Sequence, residues 1–387
     1  MRLATPVIGL VILACTALAP LTAGDPSTTD PRPKVVDVIT DRTPYTGPRI
    51  QIAILLDDSG SMEGLIGQAR TYLWDVVNRL SHTTRDGVHP RIEVALYHYG
   101  DVPALERPLA PFTTDLDEVS RLLFAINGGG GEERCGEVIR NASEQLDWSV
   151  KPTDLKMIII AGNEPFTQGP VDWASACRAA KGRGISVTTV HCGSRADGVE
   201  GMWAEGARLG GGTFACIDQN RAVSRVIAPQ DEEISRLNSE LNSTYLPYGA
   251  QGAACAEKQS AQDANAAASA PAAASSRAAV KASGAYQNGS WDLVDAVRDG
   301  KVAVDKLDKD ELPPALQALT VPERTAEIAR QANRRTQMQS DLGKLVQKRE
   351  AWVATNQPAA AADDLRAALV GAVKQQASEA GYTSPKP

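Results

Sequence analysis

Residues 50–56 read Ile-Gln-Ile-Ala-Ile-Leu-Leu and run directly into Asp57-Asp58-Ser59-Gly60-Ser61-Met62, and this junction restricts the fold more than any other stretch of the chain. A strand that is apolar on both faces belongs inside a sheet covered on both sides, as parallel sheets in α/β proteins are. The loop after it then lies at the carboxyl end of the sheet, where open α/β folds bind their ligands. Asp57, Ser59 and Ser61 stand at alternate positions of that loop. A carboxylate and two hydroxyls so spaced can turn toward one point and offer a hard divalent cation the oxygen ligands it prefers.

The alternation of strand and helix continues. Periodicity predicts a helix around Leu65–Leu80, a strand over Arg91–Tyr99, a short strand near Arg107–Phe112 and a helix over Leu116–Ile126. The glycine run Gly128–Gly131 then leads into a helix ending near Trp148. Strand Lys156–Ala161, helix Val171–Lys181, strand Ile185–His191, helix Gly201–Leu209 and strand Thr213–Ile217 follow, with a further helix over about Asp231–Leu241. Such an order predicts an α/β domain over residues 49–245, a doubly wound, mainly parallel, Rossmann-like sheet.

Outside that domain the composition changes. Met1-Arg2, the apolar stretch Leu3–Ala14 and the small residues up to Gly24 have the form of a secretory signal peptide over residues 1–24. Ile12-Leu13-Ala14-Cys15 also fits a lipoprotein signal, which would anchor the chain by a lipid on Cys15. Either route places the protein outside the cytoplasm, in the periplasm or cell envelope. No later segment is long and apolar enough to span a bilayer. Residues 25–48, rich in Pro, Thr and Asp, read as a linker, and the Ala-rich residues 246–286 as a second one. Residues 287–319 hold a short helical segment around Trp291, expected as a docking element. Residues 320–380 hold a long helix opened by the capping box Thr320-Val-Pro-Glu323 and a second helix over about Ala361–Gln376, able to form a hairpin or meet a partner. In the long helix Arg335 and Arg349 interrupt the apolar spacing, which leaves a weak coiled coil.

The Asp57-Asp58-Ser59-Gly60-Ser61 motif, between a core strand and a helix, resembles the metal-ion-dependent adhesion site of von Willebrand factor type A (vWA) domains. The resemblance covers roughly residues 49–245. It implies that Asp57, Ser59 and Ser61 hold a divalent cation, Mg²⁺ or else Mn²⁺ or Ca²⁺. A second loop in that family adds a threonine and a third adds an aspartate. Here the second loop, Gly128–Cys135, has no threonine, and Glu133, or failing that Glu132, occupies the equivalent place. The third loop, Met157-Ile-Ile-Ile-Ala-Gly-Asn-Glu-Pro165, puts Gly162 where the aspartate belongs, with Asn163 next to it as a source of a carbonyl oxygen or a holder of a ligating water. Ala161–Pro170, Val190–Gly193 and Ser290–Asp295 further resemble the pattern of bacterial exported vWA proteins with helical C-terminal tails.

The resemblance implies binding of a protein partner through an acidic group at the cation, for adhesion or scaffolding. A net charge of -7 with no basic stripe argues against nucleic acid. Two other classes remain open at this level. One is a metal-free envelope scaffold that works through its C-terminal helices. The other is a hydrolase with Ser59 as nucleophile, although Asp57 and Ser61 stand where a nucleophile elbow needs small residues, and only His98 and His191 fall near strand carboxyl ends. Catalytic residues are therefore expected to be none. Cys135, Cys177, Cys192 and Cys216 fall inside the α/β domain and allow up to two disulfides in any of three pairings, or none.

Overall fold

Six strands form one sheet in the order β3-β2-β1-β4-β5-β6: β1 (Arg49–Leu56), β2 (Arg91–His98), β3 (Ala110–Thr113), β4 (Leu155–Gly162), β5 (Ser186–Cys192) and β6 (Gly211–Ile217). All neighbours pair in parallel except β3, a short antiparallel edge strand on β2. The expected doubly wound, mainly parallel sheet is thus present. The computed structural model describes residues 45–100, 107–129, 131, 133–218, 220, 226–356 and 365–383. The leader expected at 1–24, Cys15 and nearly all of the linker expected at 25–48 lie outside these.

β1 and β4 are nearest neighbours, yet the chain leaves β1 toward β2 and β3 and leaves β4 toward β5 and β6. This reversal of winding opens a crevice at the carboxyl ends of the two strands, which is where doubly wound folds bind ligands. The loops that carry Asp57 and Asn163 leave the sheet at this point.

One face of the sheet is covered by α3 (Cys135–Gln145), α4 (Trp173–Gly182), α5 (Arg195–Glu200) and α6 (Trp203–Gly210), packed over Tyr97, Ile158, Ile160 and Val187. The expected single helix at 201–209 starts later, at Trp203, because Met202 adopts a left-handed conformation that separates it from α5. The other face receives α1 (Glu63–Ser81) and α2 (Leu116–Ala125), the latter capped by Asp115, whose carboxylate accepts from the Glu118 N–H at 2.9 Å. Leu65, Leu73, Trp74 and Val77 of α1 all point into that core.

The remaining helices, α7 (Asp231–Asn242), α8 (Gly252–Ser269), α9 (Pro271–Ala282), α10 (Leu293–Arg298), α11 (Val321–Asn356) and α12 (Leu365–Glu379), extend this second core. Residues 246–286 therefore do not form a linker. Their alanines let helices approach closely, so Ala266, Ala270, Ala273, Ala278 and Ala279 are buried and α9 packs against α1, α8 and α11. Low hydrophobicity per residue reflects small side chains here, not a solvated backbone. Trp291 is likewise not a docking element: it is buried and stacked on Tyr245 at 5.6 Å, with its indole N–H donating to Asn288 Oδ1.

The two arginines that break the apolar spacing of α11 are buried by ion pairing. Arg335 Nη1 lies 2.6 Å from Asp292 Oδ2 and 2.8 Å from Asp295 Oδ1, its Nη2 donates to the Thr244 carbonyl at 2.7 Å, and its guanidinium lies 4.0 Å from the centre of the Tyr245 ring. Arg349 Nε pairs with Asp231 at 2.5 Å. α11 accordingly lies on α7 and α9 rather than in a coiled coil, and α12 packs on α1 and against β6 rather than folding back along α11 as a hairpin. A second buried cluster joins Arg277 of α9 to Asp117 of α2 and Asp263 of α8, both at 2.5 Å, beneath the Trp74 ring. After α12 the chain reaches the start of β1: the Tyr382 hydroxyl donates to the Arg49 carbonyl at 2.7 Å, and Thr84 and Thr383 exchange backbone hydrogen bonds of 2.8 Å.

The disulfides allowed by the cysteine count are not formed: Cys135, Cys177, Cys192, Cys216 and Cys255 are free thiols. Four of them are buried as small apolar groups, and burial raises the thiol pKa values of Cys135, Cys177 and Cys192. Among the described residues no helix is long and apolar enough to cross a membrane.

Candidate metal centre

Four loop segments meet above the β1–β4 crevice. The first begins when the Asp57 N–H donates to the Ala161 carbonyl of β4 at 3.0 Å, which holds Asp57 at the very end of the sheet. Asp57 is fully buried. Its Oδ1 accepts from the Ser59 N–H at 2.8 Å, an Asx-type turn that bends the chain into the short 3₁₀ turn Gly60–Met62 ahead of α1. Its Oδ2 has no hydrogen-bond partner. The Ser59 hydroxyl and the Asn163 backbone N–H near the carboxylate offset its desolvation only in part, and a buried carboxylate oxygen left short of donors marks a place where a ligand can bind.

Ser59 and Ser61 bring their hydroxyls together, Oγ to Oγ 3.2 Å. The second loop supplies Glu133, which is buried and lies close enough to the Ser59 hydroxyl for that group to favour its ionised form. It is held to the first loop through Gly129, whose N–H donates to the Asp58 carbonyl at 2.8 Å. Glu132 lies outside the described residues. The third loop brings Asn163, whose Nδ2 donates to Ser61 Oγ at 3.3 Å while its Oδ1 is buried without a partner. The structure thus brings Asp57, Ser59, Ser61, Glu133 and Asn163 around one point.

Acceptors outnumber donors there. Ser59 has one hydroxyl proton and is within reach of Asp57, Glu133 and Ser61. Burial pushes Asp57 up to about 7, with the nearby Glu133 charge adding and the Ser59 N–H opposing. Glu133 is also raised, first by burial. Two acids that resist ionisation beside two hydroxyls and an amide oxygen form the donor set that a hard divalent cation satisfies. The residues fit such an ion. No cluster of three or more His, Cys, Asp or Glu side chains suited to a metal is found among the described residues, so the hydroxyls must serve as ligands for the centre to work.

Sequence reasoning missed the group that reshapes the third loop. Tyr99, in the fourth segment, is wholly buried and its hydroxyl donates to the Ala161 carbonyl at 2.8 Å. A Cβ at Gly162 would stand 2.6 Å from that hydroxyl and 3.0 Å from Asp57 Oδ2. A side chain at 162 would displace the tyrosine hydroxyl or the Asp57 carboxylate, and the tyrosine's hydrogen bond holds the end of β4 where it is. The available signal was the pairing of a strand-end tyrosine with a glycine at the expected ligand position. Gly162→Ala is expected to destabilise the chain by about 1–3 kcal/mol through overpacking, read from a urea midpoint, and adding Tyr99→Phe should recover part of the loss. An unchanged midpoint for Gly162→Ala would contradict the close approach.

Asp58 turns away from the centre and pairs through Oδ2 with His98 Nδ1. His191 packs on the Trp203 ring, and its Nδ1 has no partner. Among the described contacts of the Ser59 hydroxyl there are carboxylates and a second hydroxyl, and no imidazole.

A doubly wound sheet carrying an Asp-x-Ser-x-Ser loop at its winding reversal defines a class of ligand-presenting α/β domains. Residues 51–201 match the family model of the von Willebrand factor type A domain, and this part of the chain is a vWA domain. Domains of this family serve as protein-interaction modules. A search of curated proteins found no match. Similar solved structures include BatB from Bacteroides thetaiotaomicron, at 20% identity and TM-score 0.34, over 44% of this chain and 90% of that one. An aerotolerance-related membrane protein from Bacteroides fragilis is similar at 17% identity and TM-score 0.30, over 44% and 92%. Proximal thread matrix protein 1 from the mussel byssus, in a form with a zinc-occupied MIDAS motif, is similar at 14% identity and TM-score 0.33, over 44% and 42%.

Proposed function

We propose that this protein binds a protein partner through a divalent cation held by Asp57, Ser59, Ser61 and Glu133, with Asn163 contributing its amide oxygen directly or through a water. The observation that carries the reading is the buried, unpartnered Asp57 Oδ2 beside the Ser59–Ser61 hydroxyl pair and Glu133. Mg²⁺ suits two carboxylates and two hydroxyls, and Mn²⁺ or Ca²⁺ would be accepted by the same oxygens. An ion so held keeps an open position toward solvent on the side of the exposed Ser61, where an acidic group of the partner would complete its coordination. The work would be adhesion or scaffolding outside the cytoplasm, with the leader and a lipid on Cys15 as the route to the cell envelope.

Isothermal calorimetry of the full chain with Mg²⁺, Mn²⁺ and Ca²⁺ tests this. Saturable binding of at least one cation is expected, and Asp57→Ala should abolish it while the far-UV circular dichroism is kept. Absence of saturable binding by the unaltered chain would sink the reading.

A further inference from the structure

In the helical layer away from the metal centre, one lysine has no access to solvent at all: Lys281 of α9. Its Nζ donates to Asn242 Oδ1, at the end of α7, at 2.5 Å, and lies 3.2 and 3.0 Å from the two carboxylate oxygens of Asp263 in α8. Asn242 Nδ2 in turn donates to Asp263 Oδ2 at 2.6 Å. Amine, amide and carboxylate close a triangle, and the amide is turned so that each donor meets an acceptor. Since a carbonyl bond is about 1.2 Å long, the Asn242 Cγ lies no more than about 3.7 Å from Nζ, close to the separation of about 3–3.5 Å from which attack proceeds.

The surroundings suit acyl transfer. Burial pushes the Lys281 pKa down to about 8, with the Arg277 charge acting in the same direction and Asp263 opposing, so free amine is present near neutral pH. Against burial, the Lys281 and Arg277 charges hold Asp263 at about 2, and Arg277 Nε fixes it at 2.5 Å. Asp263 is therefore a base in contact both with the nitrogen that must lose protons and with the one that must gain them. Asn242 is half-buried and Ser243 beyond it is exposed, which gives ammonium a way out.

We propose that Lys281 and Asn242 join in an intramolecular isopeptide bond, with Asp263 as the catalytic carboxylate. Nζ gives a proton to Asp263 and attacks Cγ, forming the Nζ–Cγ bond. The Cγ–Nδ2 bond breaks as Asp263 passes that proton and a second one from Nζ to Nδ2, which departs as ammonium. An alkylammonium and a primary amide thus become a secondary amide and ammonium, with no oxidant or further reactant. The charge of Lys281 leaves with the ammonium, and Arg277 stays between Asp117 and Asp263, as Arg335 lies between Asp292 and Asp295. The bond ties the end of α7 to α9 and closes α8 into a covalent ring. It does not depend on the cation.

Mass spectrometry of the purified full chain, denatured and digested with trypsin, tests this. Leu237–Lys258 and Ala278–Arg298 should appear as one branched peptide, uncut after Lys281 and lighter than the sum of its parts by one ammonia. Asn242→Ala and Lys281→Met should each give only linear peptides. Asp263→Asn, checked for native circular dichroism, should lower the linked fraction at least about tenfold. Linear peptides alone from the unaltered chain overturn the bond, and so does an ammonia loss without the branch, because Asn288-Gly289 can lose ammonia by cyclising on its own backbone. An undiminished branch in folded Asp263→Asn overturns the role given to Asp263.

Discussion

Replacing Arg335 by alanine is expected to lower the free energy of unfolding by about 3–5 kcal/mol, measured by urea denaturation of the full chain. The guanidinium is nearly inaccessible and makes charge-assisted bonds to Asp292 and Asp295 and further bonds to both oxygens of Thr244. Without it two carboxylates are left close together in the interior. Burial already raises the pKa of Asp295, the Asp292 charge raises it further, and the Arg335 charge opposes them. Asp292 also caps α10, accepting from the Asp295 N–H at 2.9 Å, and accepts from the Leu246 N–H at 2.7 Å. The loss should therefore spread to the segment that joins α7 to α8 and to the whole of α10. Arg335→Lys keeps the charge but not the planar fork and should recover less than half of the loss. A change below about 1 kcal/mol for alanine would mean that α11 is held by apolar contacts alone.

The second large effect is a pH-dependent response to cation. Burial pushes Asp57 up to about 7 from its ordinary value near 3.8. Between those values the native chain retains a proton that the unfolded chain has released, so cation-free stability falls as pH rises from about 4 to about 7, by an amount on the order of a few kcal/mol. Glu133, raised in the same direction, adds to the slope. A cation binds only the ionised acids and should offset much of the trend. At about a hundredfold excess over its dissociation constant Mg²⁺ would stabilise the chain by about 2.7 kcal/mol at pH 8, and far less at pH 5 where it competes with protons. Thermal melts at the two pH values, with chelator and with Mg²⁺, give four numbers. Equal stabilisation by Mg²⁺ at both pH values would contradict Asp57 as a ligand, and Asp57→Asn should flatten most of the cation-free slope.

The α/β half was legible because its signals are local. Each strand is a short apolar run, each helix has one apolar stripe, and Asp57-x-Ser59-x-Ser61 fixes where the first strand ends. What sequence alone did not give was packing that depends on partners far away along the chain. Arg335 read as an interruption because Asp292 and Asp295 lie some forty residues before it, and Arg349 because Asp231 lies further still. Ala273, Ala278 and Ala279 read as linker because hydropathy per residue measures side-chain size, whereas close helix packing depends on its absence. At the centre, Gly162 was legible as a missing ligand. The reason it must be glycine was not, because Tyr99 comes from a different strand.

The hydrogen bonds between Tyr382 and Arg49 and between Thr383 and Thr84 have a mechanical consequence. They lie at the amino end of β1, and Asp57 lies at the other end, eight residues and about 25 Å of extended strand away. Tension entering along the segments before residue 45 and after residue 383 would load this clasp first, in shear, at the pole opposite the metal loops. A chain tethered at one side and pulled by its partner at the other would then carry the load lengthwise through β1, the central strand, bonded on both edges to β2 and β4. The grip on the partner and the grip of the fold on itself would be strained in series, and whichever yields first sets the force at which the contact lets go.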